Sequence, residues 1–152
     1  MAGHMNTPDI ERFVEAQNAP YDGYEQALQE IRKGRKRTHW VWYIFPQLRG
    51  LGFSYLANYY GIADSEEAAL YLQHPVLGAR LREITRALLQ HRGMPAEKIL
   101  GSIDAMKVCS CMTLFDAISP NDVFGEVLSA FYSDTRCERT MNMYAPPDRE
   151  HT

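Results

Sequence analysis

The chain has 152 residues, 45% of them hydrophobic and 23% charged, with a formal net charge of -3. This is the balance of one globular domain with enough apolar side chain to bury a core. It excludes a surface that attracts nucleic acid as a whole, and the longest apolar runs fall far short of the roughly 20 residues a membrane span needs.

Residues 1–5 read as an expression-tag remnant, set apart from the fold. Asp9 is a candidate N-cap for a short opening helix that carries Ile10, Phe13 and Val14. Tyr24, Ala27, Leu28 and Ile31 form the next apolar stripe, with Arg32 and Lys33 in its last turn and Gly34 at the C-terminal cap. Pro46, Gly50 and Gly52 then punctuate the chain, so any helix over residues 38–45 must be short. Ser54 caps a helix through Tyr60, which Gly61 ends. Asp64 and Glu67 make a capping box for a helix to about Gln73.

Pro75 suits a first helical position, and Leu77, Leu81, Ile84 and Leu88 repeat at helical spacing until Gly93. His74, just before that helix, is read as its cap. A short turn of helix is expected over residues 95–100. Ser102 or Asp104 caps a long helix reaching Ile118, and Asn121 caps one with Phe124, Val127, Leu128 and Phe131 on one face. A last short helix covers residues 135–144, and residues 146–152 form a frayed tail. No run alternates convincingly as a strand. The expected fold is all-α, a single compact multi-helix domain over residues 6–145.

Chemistry concentrates in residues 35–52. Arg35, Lys36 and Arg37 can hold an anion, and His39 can titrate near neutral pH. Trp40 and Trp42 lie two apart, so on a helix they point about 200° apart, one inward and one toward a pocket. Gln47 and Arg49 extend the polar reach. The plainer alternative is a solvated basic loop over two core tryptophans. A second candidate is the row Lys107, Ser110 and Thr113, spaced by three on a helix otherwise apolar on nearly all faces. Buried polar groups there need partners or a ligand. The competing account lets Lys107 reach water along its stem while the hydroxyls bond back to their own helix.

Three cysteines, Cys109, Cys111 and Cys137, are too few for a disulfide framework and read as reduced thiols of a cytosolic protein. Cys109 and Cys111 face apart on a helix, and His74 and His91 lack ligand-spaced neighbours, so no metal site is expected. No phosphate loop, metalloprotease motif or nucleophile elbow is present, and no cofactor can be named.

Four blocks, WVWYIFPQLRGLG from Trp40, Tyr60-Gly61-Ile62, HPVLGARL from His74 and KVCSCMTLF from Lys107, together resemble the bacterial family known as domain of unknown function 1810. The resemblance implies a mainly helical single domain in the cytoplasm of a bacterium, with no assigned activity. Cys109 and Cys111 stand where the family pattern carries Arg and a second Ser.

The functional expectation is a pocket for a small anionic or nucleotide-like molecule between the 35–49 segment and the 107–113 row. Arg37, Arg49 and Lys107 would bind charge, Trp40 or Trp42 would stack on a planar group, and Gln47, Ser110 and Thr113 would add polar contacts. His39 is the candidate for acid–base chemistry. The alternative is a nucleic-acid- or protein-interaction module without catalysis.

Overall fold

A computed structural model describes residues 9–144. The expected tag remnant and the whole of the expected tail lie outside them. Among the described residues there are ten helices and no strands: α1 (Glu11–Gln17), α2 (Tyr24–Arg32), α3 (Val41–Ile44), α4 (Tyr55–Tyr59), α5 (Ser65–Gln73), α6 (Leu77–Leu89), α7 (Ala96–Leu100), α8 (Ser102–Ile118), α9 (Val123–Tyr132) and α10 (Glu138–Met143). The fold is all-α. One isolated parallel bridge joins Leu48 to Ile62.

The long α8 is the axis. Its apolar side chains point every way because α3, α5, α7, α9 and α10 pack around it. Val108, Cys111, Met112, Leu114 and Phe115 are all fully sealed. α6 closes the far side, resting on α2, α5 and α9. Phe115 joins Tyr71 of α5, at 5.4 Å between ring centroids, to Phe124 of α9, at 5.8 Å.

Several expected caps form. Ser54 Oγ accepts from the Ala57 amide at 3.1 Å, and Asp64 Oδ1 from Glu67 at 2.9 Å. His74 Nδ1 accepts the amides of Val76 and Leu77, at 3.1 and 3.3 Å, and so caps α6. Pro75 lies in the turn before α6 rather than inside it. Two expectations need correction. Asp122, not Asn121, caps α9, by accepting the Val123 amide at 2.7 Å. Asn121 sits at φ +67° instead, completing the turn. Neither Ser102 nor Asp104 caps α8, because Gly101 enters it at φ +85° and Asp104 is drawn into ion pairs.

The α5–α6 corner is close enough to need glycine. A Cβ on Gly78 would lie 2.1 Å from the Leu72 carbonyl oxygen and 2.9 Å from its carbon, both backbone atoms. Gly78→Ala would raise helix propensity by about 1 kcal/mol at an open site. Here the collision outweighs that gain, and a net loss of about 2 kcal/mol is expected. A shift of the urea midpoint to lower concentration, at unchanged slope, would register it.

Candidate functional site

The path of the basic segment is set by one carboxylate. α2 ends at Arg32, and beyond Gly34, at φ +80°, the chain turns back so that the Lys36 amide reaches the Ile99 carbonyl at 2.7 Å. Glu30 Oε1 then accepts the Arg37 and Thr38 amides, at 2.8 and 3.1 Å, and the Trp40 indole at 2.9 Å. Its Oε2 accepts the Thr38 hydroxyl at 2.7 Å and the Gln26 amide at 3.1 Å. Burial alone would raise the Glu30 pKa. The bonds from Arg37, Thr38 and Trp40 outweigh it and hold the group at about 2.

This arrangement separates the two tryptophans. Trp40 is fully sealed, with the Lys36 ammonium 4.9 Å above its ring. Trp42 is half-buried, and the Lys107 ammonium sits 5.0 Å from its ring centroid. Asp104 ties the two lysines together, 2.8 Å from Lys36 and 3.5 Å from Lys107. The 35–49 segment and the α8 row therefore do meet.

Two hollows flank that meeting point. A notch of about 10 Å³ lies beside Trp42, Phe45 and Tyr60. A cleft of about 450 Å³ opens between the 47–52 segment, α8 and the start of α10. Gln47 and Lys107 border both. Leu51, Ile103, Met106 and Tyr132 make much of the cleft wall apolar, while Ser110, Arg139 and Glu97 add polar groups.

The family's sequence profile, described as a protein of unknown function (DUF1810), matches residues 7–144. The chain belongs to that family. It is 46% identical to a conserved hypothetical protein from Mycobacterium tuberculosis whose crystal structure superposes with a TM-score of 0.86. The match covers 91% of this chain and 98% of that one. No curated protein matches.

In this family member, the blocks that carry the resemblance fall on the Glu30 junction, the α5–α6 corner and the central helix. Residues 40–52 lead from the Glu30 junction into the cleft. The HPVLGARL block spans the α5–α6 corner, and the KVCSCMTLF block is the middle of α8.

Of the residues singled out by sequence, Trp42, Gln47, Lys107 and Ser110 come together. The other five are held elsewhere. Trp40 is in the core. His39 is exposed, and its carbonyl accepts the Tyr43 hydroxyl at 3.3 Å. Arg37 is exposed beside a shallow depression that it shares with Lys33 and Arg35. Arg49 donates to the carbonyls of Asn58 and Gly61, both at 3.1 Å, and braces α4. Thr113 donates to the Cys109 carbonyl at 2.8 Å and accepts the Cys137 amide at 2.9 Å, so its hydroxyl is spent on the α8–α10 contact.

Three groups at the site escaped sequence reasoning. Asp104 balances the two lysines. Arg139 crosses to the carbonyls of Leu51 and Gly50, at 3.4 and 3.5 Å, with no carboxylate within ion-pair distance among the described residues. Cys137 lines the cleft and receives a hydrogen bond from Ser110 at 3.2 Å. Each depends on a contact far away in sequence, and no local motif announces it. Among the described residues, no cluster of His, Cys, Asp and Glu could hold a metal, and no helix is long and apolar enough to cross a membrane.

Proposed function

We propose that the protein binds a small anionic, nucleotide-like molecule in the cleft beside α8, and that it works in the cytosol, where free thiols persist. The observation that carries this reading is the presence of both Lys107 and Arg139 in the lining of a largely apolar hollow. The cations would take phosphate or carboxylate oxygens, Arg139 in bidentate fashion. Leu51, Met106 and Tyr132 would cover a flat or apolar body, and Gln47 and Ser110 would fix its orientation. Lys107 is shared between Asp104 and the Trp42 ring, so it needs no large rearrangement to engage an anion.

The nucleic-acid alternative would use Lys33, Arg35 and Arg37 around the shallow depression. Base stacking needs an aromatic platform beside the cations. Trp40, the indole nearest in sequence, is sealed in the core, which favours the cleft.

The test is a panel of nucleotides, sugar phosphates and ADP-ribose, read by Trp fluorescence and melting temperature. A ligand at about 100 times its Kd stabilises the fold by about 2.7 kcal/mol. Drawing Lys107 off the indole is expected to change Trp42 emission. Lys107→Ala and Arg139→Ala should each weaken binding at least tenfold, which is about 1.4 kcal/mol. Flat responses across the panel would remove the reading.

A further inference from the structure

Two thiols that the binding reading does not use face the same cleft. Cys109 and Cys137 both line it. They are bound differently. Cys109 Sγ points at the Thr135 carbonyl at 3.6 Å, an acceptor that suits a protonated thiol. Cys137 Sγ instead faces the hydroxyl of Ser110, itself buried, at 3.2 Å, and shares its single proton with the Met106 carbonyl at the same distance. Beneath Cys137 lies the Thr140 hydroxyl, fully buried and without a hydrogen-bond partner. An orphaned buried donor is costly, and a negative sulfur at Cys137 would satisfy it.

The electrostatics agree with this geometry. Burial pushes the Cys137 thiol up, but the Ser110 hydroxyl and the backbone amides of Thr140 and Arg139 outweigh that and leave it below the ordinary thiol value. Burial and the neighbouring Cys137 push Cys109 the other way. The cleft thus holds one thiol poised to ionise beside one held protonated. Cys111, fully sealed and raised further by burial, plays no part.

We propose that Cys137 is a thiol-modification site, forming a mixed disulfide with a low-molecular-weight disulfide that carries carboxylates. The proposal rests on the anionic cleft described above, because Lys107 and Arg139 would hold those carboxylates. The Cys137 thiol gives its proton to solvent. Its sulfur then attacks one sulfur of the small disulfide. The new S–S bond forms as the old one breaks, and the second half leaves as a thiolate that takes a proton from water. One disulfide is consumed and one is made, so no further oxidant is required.

Two probes separate the thiol from the cleft. Iodoacetamide is neutral and reads the thiolate alone; glutathione disulfide is anionic and reads both. Peptide mapping should find Cys137 labelled by iodoacetamide roughly tenfold faster than Cys109 near neutral pH. Ser110→Ala should move half-maximal labelling to higher pH. Glutathione disulfide should add one adduct, at Cys137, and none in Cys137→Ser with an unchanged circular-dichroism spectrum. Lys107→Gln should slow the glutathione-disulfide reaction severalfold more than that of iodoacetamide. Slow labelling of Cys137, or labelling of Cys109 first, overturns the reactive thiol. Fast labelling with equal effects of Lys107→Gln on both probes overturns the anionic cleft instead.

Discussion

Glu30→Ala is expected to lower the unfolding free energy by about 3–5 kcal/mol, measured by urea titration followed through Trp emission. The carboxylate accepts five donors, from the Arg37 and Thr38 amides, the Thr38 hydroxyl, the Gln26 amide and the Trp40 indole. They do not contribute equally. Water can replace the carboxylate at Arg37 and Thr38, which lie near the surface, but not at the indole N–H, whose ring is fully sealed. That orphaned donor, and the loss of the anchor that turns residues 35–40 over α2, set the size of the effect. Glu30→Gln should cost less. Its oxygen can keep the Oε1 bonds, while its NH2 meets the Gln26 NH2 donor to donor.

The same carboxylate gives the protein an acid limb. In the fold its pKa is held at about 2 against an ordinary 4.5. Between those values the unfolded chain carries the extra proton, so stability rises with pH. The contribution, about 3 kcal/mol, is complete above about pH 4.5 and disappears as pH falls through about 2. Between about pH 6 and about pH 3 the wild-type urea midpoint should fall more steeply than that of Glu30→Gln, which has no proton to take up there. Parallel pH profiles would show that the group is not linked to folding.

Glu30 also explains why the helices were legible in the sequence and the site only partly so. Helix positions follow from local rules. Leu77, Leu81, Ile84 and Leu88 repeat on one face and all end up buried in α6. Asp64 and Glu67 sit three apart and make their capping bond. The site depends on longer-range choices. Spacing says that Trp40 and Trp42 part company, but the carboxylate ten residues upstream decides which one goes inward. Lys107 and Ser110 face the site because each has a partner off α8, the Trp42 ring and Cys137, besides one on α8, Asp104 and the Met106 carbonyl. Thr113 looked the same in sequence, yet its hydroxyl is consumed by Cys109 and Cys137. Arg37 and Arg49 were indistinguishable as cations. One is exposed, and the other is fixed on backbone carbonyls that no motif encodes.

Arg12→Met should be about as damaging as loss of Glu30, again about 3–5 kcal/mol. Arg12 is only 3% exposed. Its Nη1 and Nη2 reach Glu67 at 2.9 and 3.3 Å, Nε donates to the Tyr59 carbonyl at 2.7 Å, and Nη2 to Gly61 at 2.9 Å. The guanidinium also lies 4.3 Å from the centroid of the Phe13 ring. Methionine fills most of the stem's volume but leaves the Glu67 carboxylate without its counter-charge and the Tyr59 carbonyl without its donor. Gly61 is partly spared, since Arg49 donates to the same carbonyl at 3.1 Å. Lysine should not rescue, because one ammonium cannot meet a carboxylate and the carbonyls of Asp9, Tyr59 and Gly61 in the directions a planar fork reaches. If the stranded charge is the main cost, the loss in Arg12→Met/Glu67→Gln must be smaller than the two single losses added together. Strict additivity in that cycle, or a loss below about 1 kcal/mol for Arg12→Met, would place the stability of the α1–α5 junction in its apolar contacts instead.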